Sequence, residues 1–150
     1  GDLKFNNVRF NEKGKAVCLL DLDTLGRYKT VADIAEATRT WCNKTNEDDI
    51  MNSKFDLSAF RMLLKGYLTT AKFISKKEVL LLPKAIKRTI LVLIVRFITD
   101  AFEEKYFRLN KNRYKNLYEQ NKTKATAQLT LYYDVLKKEN RIKNIINELI

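Results

Sequence analysis

A β-hairpin predicted near the amino terminus constrains the fold more than any other segment of this sequence. Residues 11–14 have the composition of a tight turn, and the apolar run 16–22 that follows has the length and branched residues of a strand. The two strands of a hairpin are antiparallel, so the residue before the first strand and the residue after the second lie at the same end. Polar residues at those two places are therefore expected to meet.

Acidic and amide side chains occupy both places. Asp2 and Asn7 precede the hairpin with the spacing D-x-x-x-x-N, and Asp21 and Asp23 follow its second strand. Kinase catalytic loops use this spacing, in which the Asp accepts the proton of the attacking hydroxyl and the Asn binds magnesium. Asp2 is therefore predicted to be a catalytic base. Asn7 and Asp21 are predicted ligands of Mg²⁺, with Asp23 as a further or outer ligand; the alternative makes all four ordinary turn and loop residues.

The order of these motifs resembles the aminoglycoside phosphotransferase and choline kinase superfamily, which has a protein-kinase-like fold. The likeness is strongest to the N-acetylhexosamine 1-kinase group, through the stretches G-D-L-K-F-N-N-V-R-F-N and V-C-L-L-D-L-D-T. It continues with A-D-I-A-E-A-T-R-T, K-F-D-L-S-A-F and V-R-F-I-T-D, and ends near residue 107. The chain departs from the family in having no His before its Gly-Asp pair.

The resemblance implies a sugar kinase. ATP, held with Mg²⁺, would donate its γ-phosphate to the anomeric hydroxyl of an N-acetylhexosamine, and Arg96 and Tyr106 would line the sugar pocket. Related kinases acting on aminoglycosides, choline or homoserine are the nearest alternatives. A non-catalytic binding or interaction domain on a kinase-like fold is the alternative from another class.

Three charged residues in predicted helices need an explanation. Arg96 lies inside the apolar run ILVLIVRFI, where an unpaired charge is costly, so it must pair or reach a polar cleft. An ion pair with Asp100, four residues later, or with a more distant acid, is the alternative to the sugar-pocket role. Asp33 and Glu36 are expected to be structural, capping their helix and bracing the catalytic loop.

The expected fold class is mainly α with a short β-hairpin near the N-terminus, as in the C-terminal large lobe of a protein-kinase-like fold. Apolar periodicity and capping signals predict helices from Thr30-x-x-Asp33 to about Trp41, after Asp56, from Ser75-x-x-Glu78, over 84–104 after Pro83, and over 122–139. Two apolar stripes at helical spacing are expected to face the core, namely Ala125, Leu129, Tyr132 and Leu136, followed by Ile142, Ile145, Ile146 and Leu149. A single domain, 1–150, is expected, with the catalytic loop and metal hairpin in 1–25 and helices in 30–150. The small lobe and hinge of a kinase are absent, so the chain is expected to be a partial large lobe whose partner is the missing N-terminal lobe.

Composition and charge limit the kinds of partner that are expected for the chain. The net charge is +11, but Lys and Arg are spread over nearly every helix, so a solvated surface is favoured over nucleic-acid binding even for the basic and aromatic segment 105–124. The longest apolar run is too short to span a membrane. Two cysteines in unlike contexts indicate free thiols and a cytoplasmic location. Self-association is expected if core surface is left uncovered.

Overall fold

In the computed structural model, which describes residues 1–150, a two-stranded antiparallel hairpin leads into six α-helices. The elements are β1 (Val8–Phe10), β2 (Ala16–Leu19), α1 (Thr30–Trp41), α2 (Leu57–Thr70), α3 (Lys76–Leu80), α4 (Leu82–Glu103), α5 (Leu117–Lys137) and α6 (Glu139–Leu149). Short 3₁₀ turns at Phe5–Asn7 and Leu22–Thr24 flank the hairpin. The prediction of a mainly helical chain with an early hairpin is confirmed.

The hairpin has the turn that its sequence predicts. β1 pairs antiparallel with β2, and Val8 lies opposite Leu19. Gly14 has a φ of 71°, a left-handed conformation that Gly adopts at little cost. The side chain of Asn11 accepts hydrogen bonds from two backbone amides of the turn, at 3.1 and 2.9 Å. These local contacts fix the pairing register of the two strands. That register in turn determines which residues lie beside each other where β1 begins and β2 ends.

Three of the predicted helix starts are confirmed. The carboxylate of Asp56 accepts hydrogen bonds from the first backbone amides of α2, at 2.8 and 2.9 Å. Ser75 and Glu78 form a capping box at α3, and Pro83 lies in the first turn of α4. These signals act within four residues of the chain, so the sequence alone is sufficient to place them.

The capping box predicted at the start of α1 is wrong. Thr30 is already the first residue of the helix, and Lys29 precedes it without a side-chain cap. Asp33 instead lies 2.9 Å from the amino group of Gly1. The carboxylate that would have capped the helix is therefore used to hold the amino-terminal loop.

The carboxyl-terminal region is two helices rather than one. The helix predicted over 122–139 begins earlier, where Asn116 caps α5 by accepting a 2.8 Å hydrogen bond from the amide of Glu119. It ends at Lys137, and α6 begins at Glu139 after the single residue Lys138. The predicted stripe at Ile142, Ile145 and Ile146 is buried as expected.

The predicted core stripe of α5 is half right. Ala125 is buried and Tyr132 packs against the core, but Leu129 and Leu136 are exposed. The residues that α5 buries in their place are Leu131 and Val135, which belong to a stripe one third of a turn away. Both stripes have helical spacing, so the choice between them depends on where the neighbouring helices lie.

α4 runs through the middle of the core. It packs along α5 and against α1, while α2 and α6 pack on each other. The largest side chains in this core are Phe55, Phe60, Phe97, Leu64, Leu82, Ile86, Ile90, Leu131, Ile142 and Ile146. None of the helices combines the length and apolar composition that a bilayer span requires.

Both cysteines are free thiols, as predicted. Cys18 lies on β2 and is exposed, whereas Cys42 at the end of α1 is buried. Burial, with a smaller effect of Asp56, raises the pKa of the Cys42 thiol to about 12. Because the thiolate is the reactive form, Cys42 is inert at neutral pH.

Candidate active site

The amino-terminal loop is attached to α1 at two points. Gly1 lies against Asp33 in the first turn of the helix. The hydroxyl of Thr40, in the last turn, donates a 3.2 Å hydrogen bond to the carbonyl of Leu3. The loop therefore lies along α1.

Asp2 and Asn7 are in direct contact. The amide nitrogen of Asn7 lies 3.0 Å from the carbonyl oxygen of Asp2 and 3.3 Å from its carboxylate. Asn7 is only 8% exposed, whereas the carboxylate of Asp2 is partly open to solvent. With the nitrogen committed to Asp2, the amide oxygen of Asn7 has no protein partner and is available to a cation. The structure thus brings together two residues that the D-x-x-x-x-N spacing predicts as one site.

Lys4 adds a cation to this pair. Its ammonium donates a 2.7 Å hydrogen bond to the carboxylate of Asp2. That hydrogen bond, with the charges of Asp2, Asp21 and Glu47, raises the pKa of Lys4, although partial burial opposes the rise. Sequence reasoning did not identify Lys4 as a site residue, because lysines are frequent throughout the chain. Its position between Asp2 and Asn7 is the only feature that could have indicated this role.

Two of the predicted site residues have an unusual backbone. Asp2 has a φ of 56° and Asp21 a φ of 59°, both left-handed. Glu104, at the end of α4, is the only other non-glycine residue with a positive φ. Such conformations cost free energy in L-residues and concentrate at functional sites. Their coincidence with two predicted catalytic carboxylates is the most specific local signal in the chain.

The hairpin brings the neighbourhood of Asp21 to Asn7. The backbone amide of Leu20 donates a 2.8 Å hydrogen bond to the carbonyl of Asn7, and Asp21 follows immediately. Asp21 and Asp23 are exposed and make no hydrogen bond through their carboxylates. That Asn7 and Asp21 share one ion stays a prediction.

A magnesium site built here would be only partly supplied by protein. No three acidic or cysteine side chains of the chain converge on one point. Asn7 offers an amide oxygen and Asp21 a carboxylate, both of which are oxygen ligands suited to Mg²⁺. This sparse set fits Mg²⁺, which usually keeps several waters and binds substrate phosphates beside one or two carboxylates.

Glu36 does not brace the loop. It accepts a 2.8 Å hydrogen bond from Arg39, one turn further along α1. Arg39 also lies 3.5 Å from Glu47, which in turn lies 3.3 Å from Lys124 of α5. This line of charges connects α1 to α5 beside the loop, and Glu47 at its centre contributes to the raised pKa of Lys4. The sequence contains no motif that singles out Glu47.

Arg96 and Tyr106, both predicted to line a sugar pocket, contact each other. The guanidinium of Arg96 donates to the hydroxyl of Tyr106 and lies 4.6 Å from the centre of its ring. Both residues are exposed. The alternative ion pair of Arg96 with Asp100 is wrong, because Asp100 faces the core and has other partners. No hydrogen bond or ion pair joins this pair to Asp2.

Asp100 holds the loop that carries Tyr106. Its carboxylate accepts hydrogen bonds from the backbone amides of Lys105, Tyr106 and Phe107, at 2.8, 2.6 and 3.0 Å, and from the side chain of Asn121 at 3.0 Å. Burial acts to raise the pKa of Asp100, but the four hydrogen bonds outweigh it and hold the pKa below its usual value. Asp100 therefore positions Tyr106 through the backbone.

No family model matches the chain, and no curated protein matches it. The likeness to sugar kinases is therefore a likeness of motifs. Asp2, Asn7 and Lys4, which lie within those motifs, are in contact with one another.

Proposed function

We propose that this chain forms the metal-binding part of the large lobe of a small-molecule kinase. One observation carries the proposal: Asp2 and Asp21 both have left-handed backbones at the open end of one hairpin, with Asn7 hydrogen-bonded to Asp2. A left-handed non-glycine residue costs about 1 kcal/mol or more. Two such residues, both of them carboxylates at predicted site positions, support a functional demand on the backbone there.

The proposed reaction assigns a separate task to each residue. The acceptor hydroxyl attacks the γ-phosphorus of ATP, the new O–P bond forms as the bond to ADP breaks, and Asp2 takes the hydroxyl proton. Asn7 keeps Asp2 in place through its two hydrogen bonds. Asn7 and Asp21 would hold Mg²⁺, which neutralises phosphate charge when it is bound.

Lys4 supports the same reaction. A cation fixed beside the base stabilises the negative charge that phosphoryl transfer concentrates on the reacting oxygens. The ammonium is already fixed, 2.7 Å from Asp2, so no reorganisation is needed when the substrate arrives. Its raised pKa keeps it charged at neutral pH.

An N-acetylhexosamine is the proposed acceptor. Arg96 and Tyr106 together offer hydrogen-bonding groups to a neutral sugar. Choline would need the face of the ring that the Arg96 guanidinium covers, and an aminoglycoside, as a polycation, would be repelled by Arg96. Homoserine remains the alternative that these contacts disfavour least.

The nucleotide site is proposed to be completed by a small lobe that covers the hairpin. Several large apolar side chains of the hairpin and the following turn are exposed, namely Phe10, Val17, Leu19, Leu22 and Leu25. If these side chains form one surface, a contact with another protein surface would cover it. A location in the cytoplasm, where ATP is available and thiols stay reduced, is part of the same proposal.

The metal site can be tested on the 150-residue chain with Mn²⁺ as a paramagnetic substitute for Mg²⁺. We expect Mn²⁺ with ATP to broaden the NMR signals of residues 2–8 and 20–23 first, because only there do an amide oxygen and a carboxylate lie at the same end of one hairpin. Asp21→Asn should abolish the selective broadening. Binding should be weak, and the chain should show no measurable phosphorylation of N-acetylhexosamines, since half of the nucleotide site is missing.

Glu12→Gln is the matched control for that experiment. Glu12 lies on the same hairpin, but in its turn, at the end away from Asn7. The control should bind Mn²⁺ as the unmodified chain does. Broadening that is spread over all acidic residues, or that survives Asp21→Asn, would show that no such site exists.

Arg96→Ala tests the acceptor pocket in the kinase completed by its small lobe. We expect the KM for the sugar to rise about tenfold, because a hydrogen bond from a charged donor contributes about 1.5–3 kcal/mol. The KM for ATP should stay nearly unchanged. Arg61→Ala, which removes an exposed Arg from α2, is the control and should change neither constant. Equal effects of Arg96→Ala on both substrates would remove Arg96 from the sugar pocket.

A non-catalytic interaction domain is the second candidate. The observation in its favour is that Lys4 already supplies a cation to Asp2. A site neutralised in this way can persist without metal. The Mn²⁺ titration separates the two candidates, because an interaction domain has no reason to bind the ion at Asn7 and Asp21.

A further inference from the structure

One face of α4 is apolar and uncovered. Leu91, Val95, Ile98 and Phe102 are all exposed, Val95 at 60% and Phe102 at 75%. Their spacings of four, three and four residues are those of a helix that packs against another helix. The residues that α4 buries form a different face, with Ile86, Ile90, Ile94, Phe97 and Ala101. α4 therefore has a second apolar face that no part of this chain covers.

A basic cleft lies beside this face. It has a volume of 460 Å³ and is lined by Arg27, Tyr28, Lys29, Ala32 and Arg88. Its three cations make no ion pair within the chain. Like charges around one cleft repel one another, so the cleft favours an acidic occupant. Arg88 precedes Leu91 by three residues, which puts the cleft and the apolar face on the same side of α4.

The charges of α4 oppose its own dipole. Lys84 and Arg88 lie in its first two turns, where the partial charge of a helix is positive, and no acid lies in the first turn. Glu103 and Glu104 lie at its end, where the partial charge is negative. The nearest cation to Glu103 is Lys105, at 3.9 Å, and Glu104 has no partner. An isolated helix gains nothing from this arrangement.

We propose that two copies of this chain pair antiparallel along α4. A two-fold axis between Val95 and Ile98 sets Leu91 of one copy against Phe102 of the other. The exposed apolar stripe is then covered along its whole length by itself. Such a self-complementary contact is the usual form of a homodimer interface.

The antiparallel arrangement also matches the charges. It brings Glu103 and Glu104 of one copy to the cleft that contains Arg88 in the other. The basic start of each helix then lies beside the acidic end of its neighbour, and the two helix dipoles oppose. A parallel pair would place like charges together. Since the chain carries both halves of this complementarity, a second copy is a sufficient partner.

The proposed interface does not cover Arg96, one of the two residues proposed to bind the phosphate acceptor. Arg96 lies about 100° around the helix from Val95, outside the apolar stripe. Dimerisation is therefore independent of the proposed phosphotransfer, and each can fail without the other.

Sedimentation of the chain and two single variants tests the surface. We expect the chain to dimerise and Val95→Asp to raise the dimer dissociation constant at least about tenfold, because two unpaired carboxylates would be buried at the two-fold axis. Met62→Asp, at a residue 68% exposed on α2, is the matched control and should leave the constant unchanged. Circular dichroism should be unaltered in both, since neither residue belongs to the core.

Exchanging the charges at the two ends of α4 tests whether the two α4 helices pair antiparallel. Arg88→Glu alone should weaken the dimer, and adding Glu103→Lys with Glu104→Lys should restore it, because the pairing is then reversed in sign. A chain that is monomeric at about 100 μM overturns the proposal, since a contact that buries the whole stripe is expected to associate below that concentration. Equal effects of Val95→Asp and Met62→Asp overturn it too, as does a charge exchange that fails to restore the dimer.

Discussion

Asp2→Asn is expected to lower turnover of the completed kinase about 10²–10⁴-fold, the range for loss of a general base that also orients its substrate. The substitution keeps the shape of the side chain and an oxygen that can accept from Lys4 and Asn7. ATP affinity should therefore stay nearly intact, and the loss should fall on kcat. Steady-state kinetics with both substrates varied, beside a direct measurement of ATP binding, would separate the two quantities.

Asp49→Asn is the matched control for this variant. Asp49 is another Asp in a loop, and its carboxylate contacts only Asn52. The same chemical change there should leave turnover unaltered. If Asp2→Asn retained full activity, Asp2 would not be the base and the phosphotransfer proposal would lose its central residue.

The parts of the fold that could be predicted are those with short-range causes. The hairpin turn at Gly14 and the caps at Asp56 and Ser75 depend on contacts within four residues, and all three are as predicted. Asp2 and Asn7 belong to the same group, because a loop of fixed spacing folds onto itself.

The predictions that are wrong have long-range causes. Asp33 does not cap α1, because the amino-terminal loop reaches it from outside the helix. Leu129 and Leu136 are not core, because a second stripe of α5 faces α4 instead. In both cases the local pattern permits two arrangements, and the packing of distant elements selects one.

Arg96 illustrates the same limit within the candidate site. A spacing of four residues allowed an ion pair with Asp100, but Asp100 is turned inward to the loop after α4. That loop could not be placed from periodicity, since it has none. The contact of Lys4 with Asp2 could not be predicted for a different reason. The contact is local, but nothing in the sequence distinguishes this lysine from the many others.

Asp100→Ala is expected to lower the free energy of unfolding by about 3 kcal/mol or more, because each buried donor left unsatisfied costs about 1–3 kcal/mol. Asp100 is 3% exposed, and the variant strands three backbone amides and the side chain of Asn121. Urea unfolding measures the loss. Thr99→Ala, at the exposed neighbouring position, is the control and should change stability little.

The pH dependence of the same pair of proteins identifies the carboxylate as the cause. The pKa of Asp100 is lowered in the folded chain, so its contribution to stability is complete above the ordinary value of 3.8 and is lost as the pH falls through the folded value. The difference in unfolding free energy between the unmodified chain and Asp100→Ala should therefore be constant near neutral pH and shrink below about pH 4. A difference that persists unchanged in acid would mean that packing, not the ionised carboxylate, holds the loop of Tyr106.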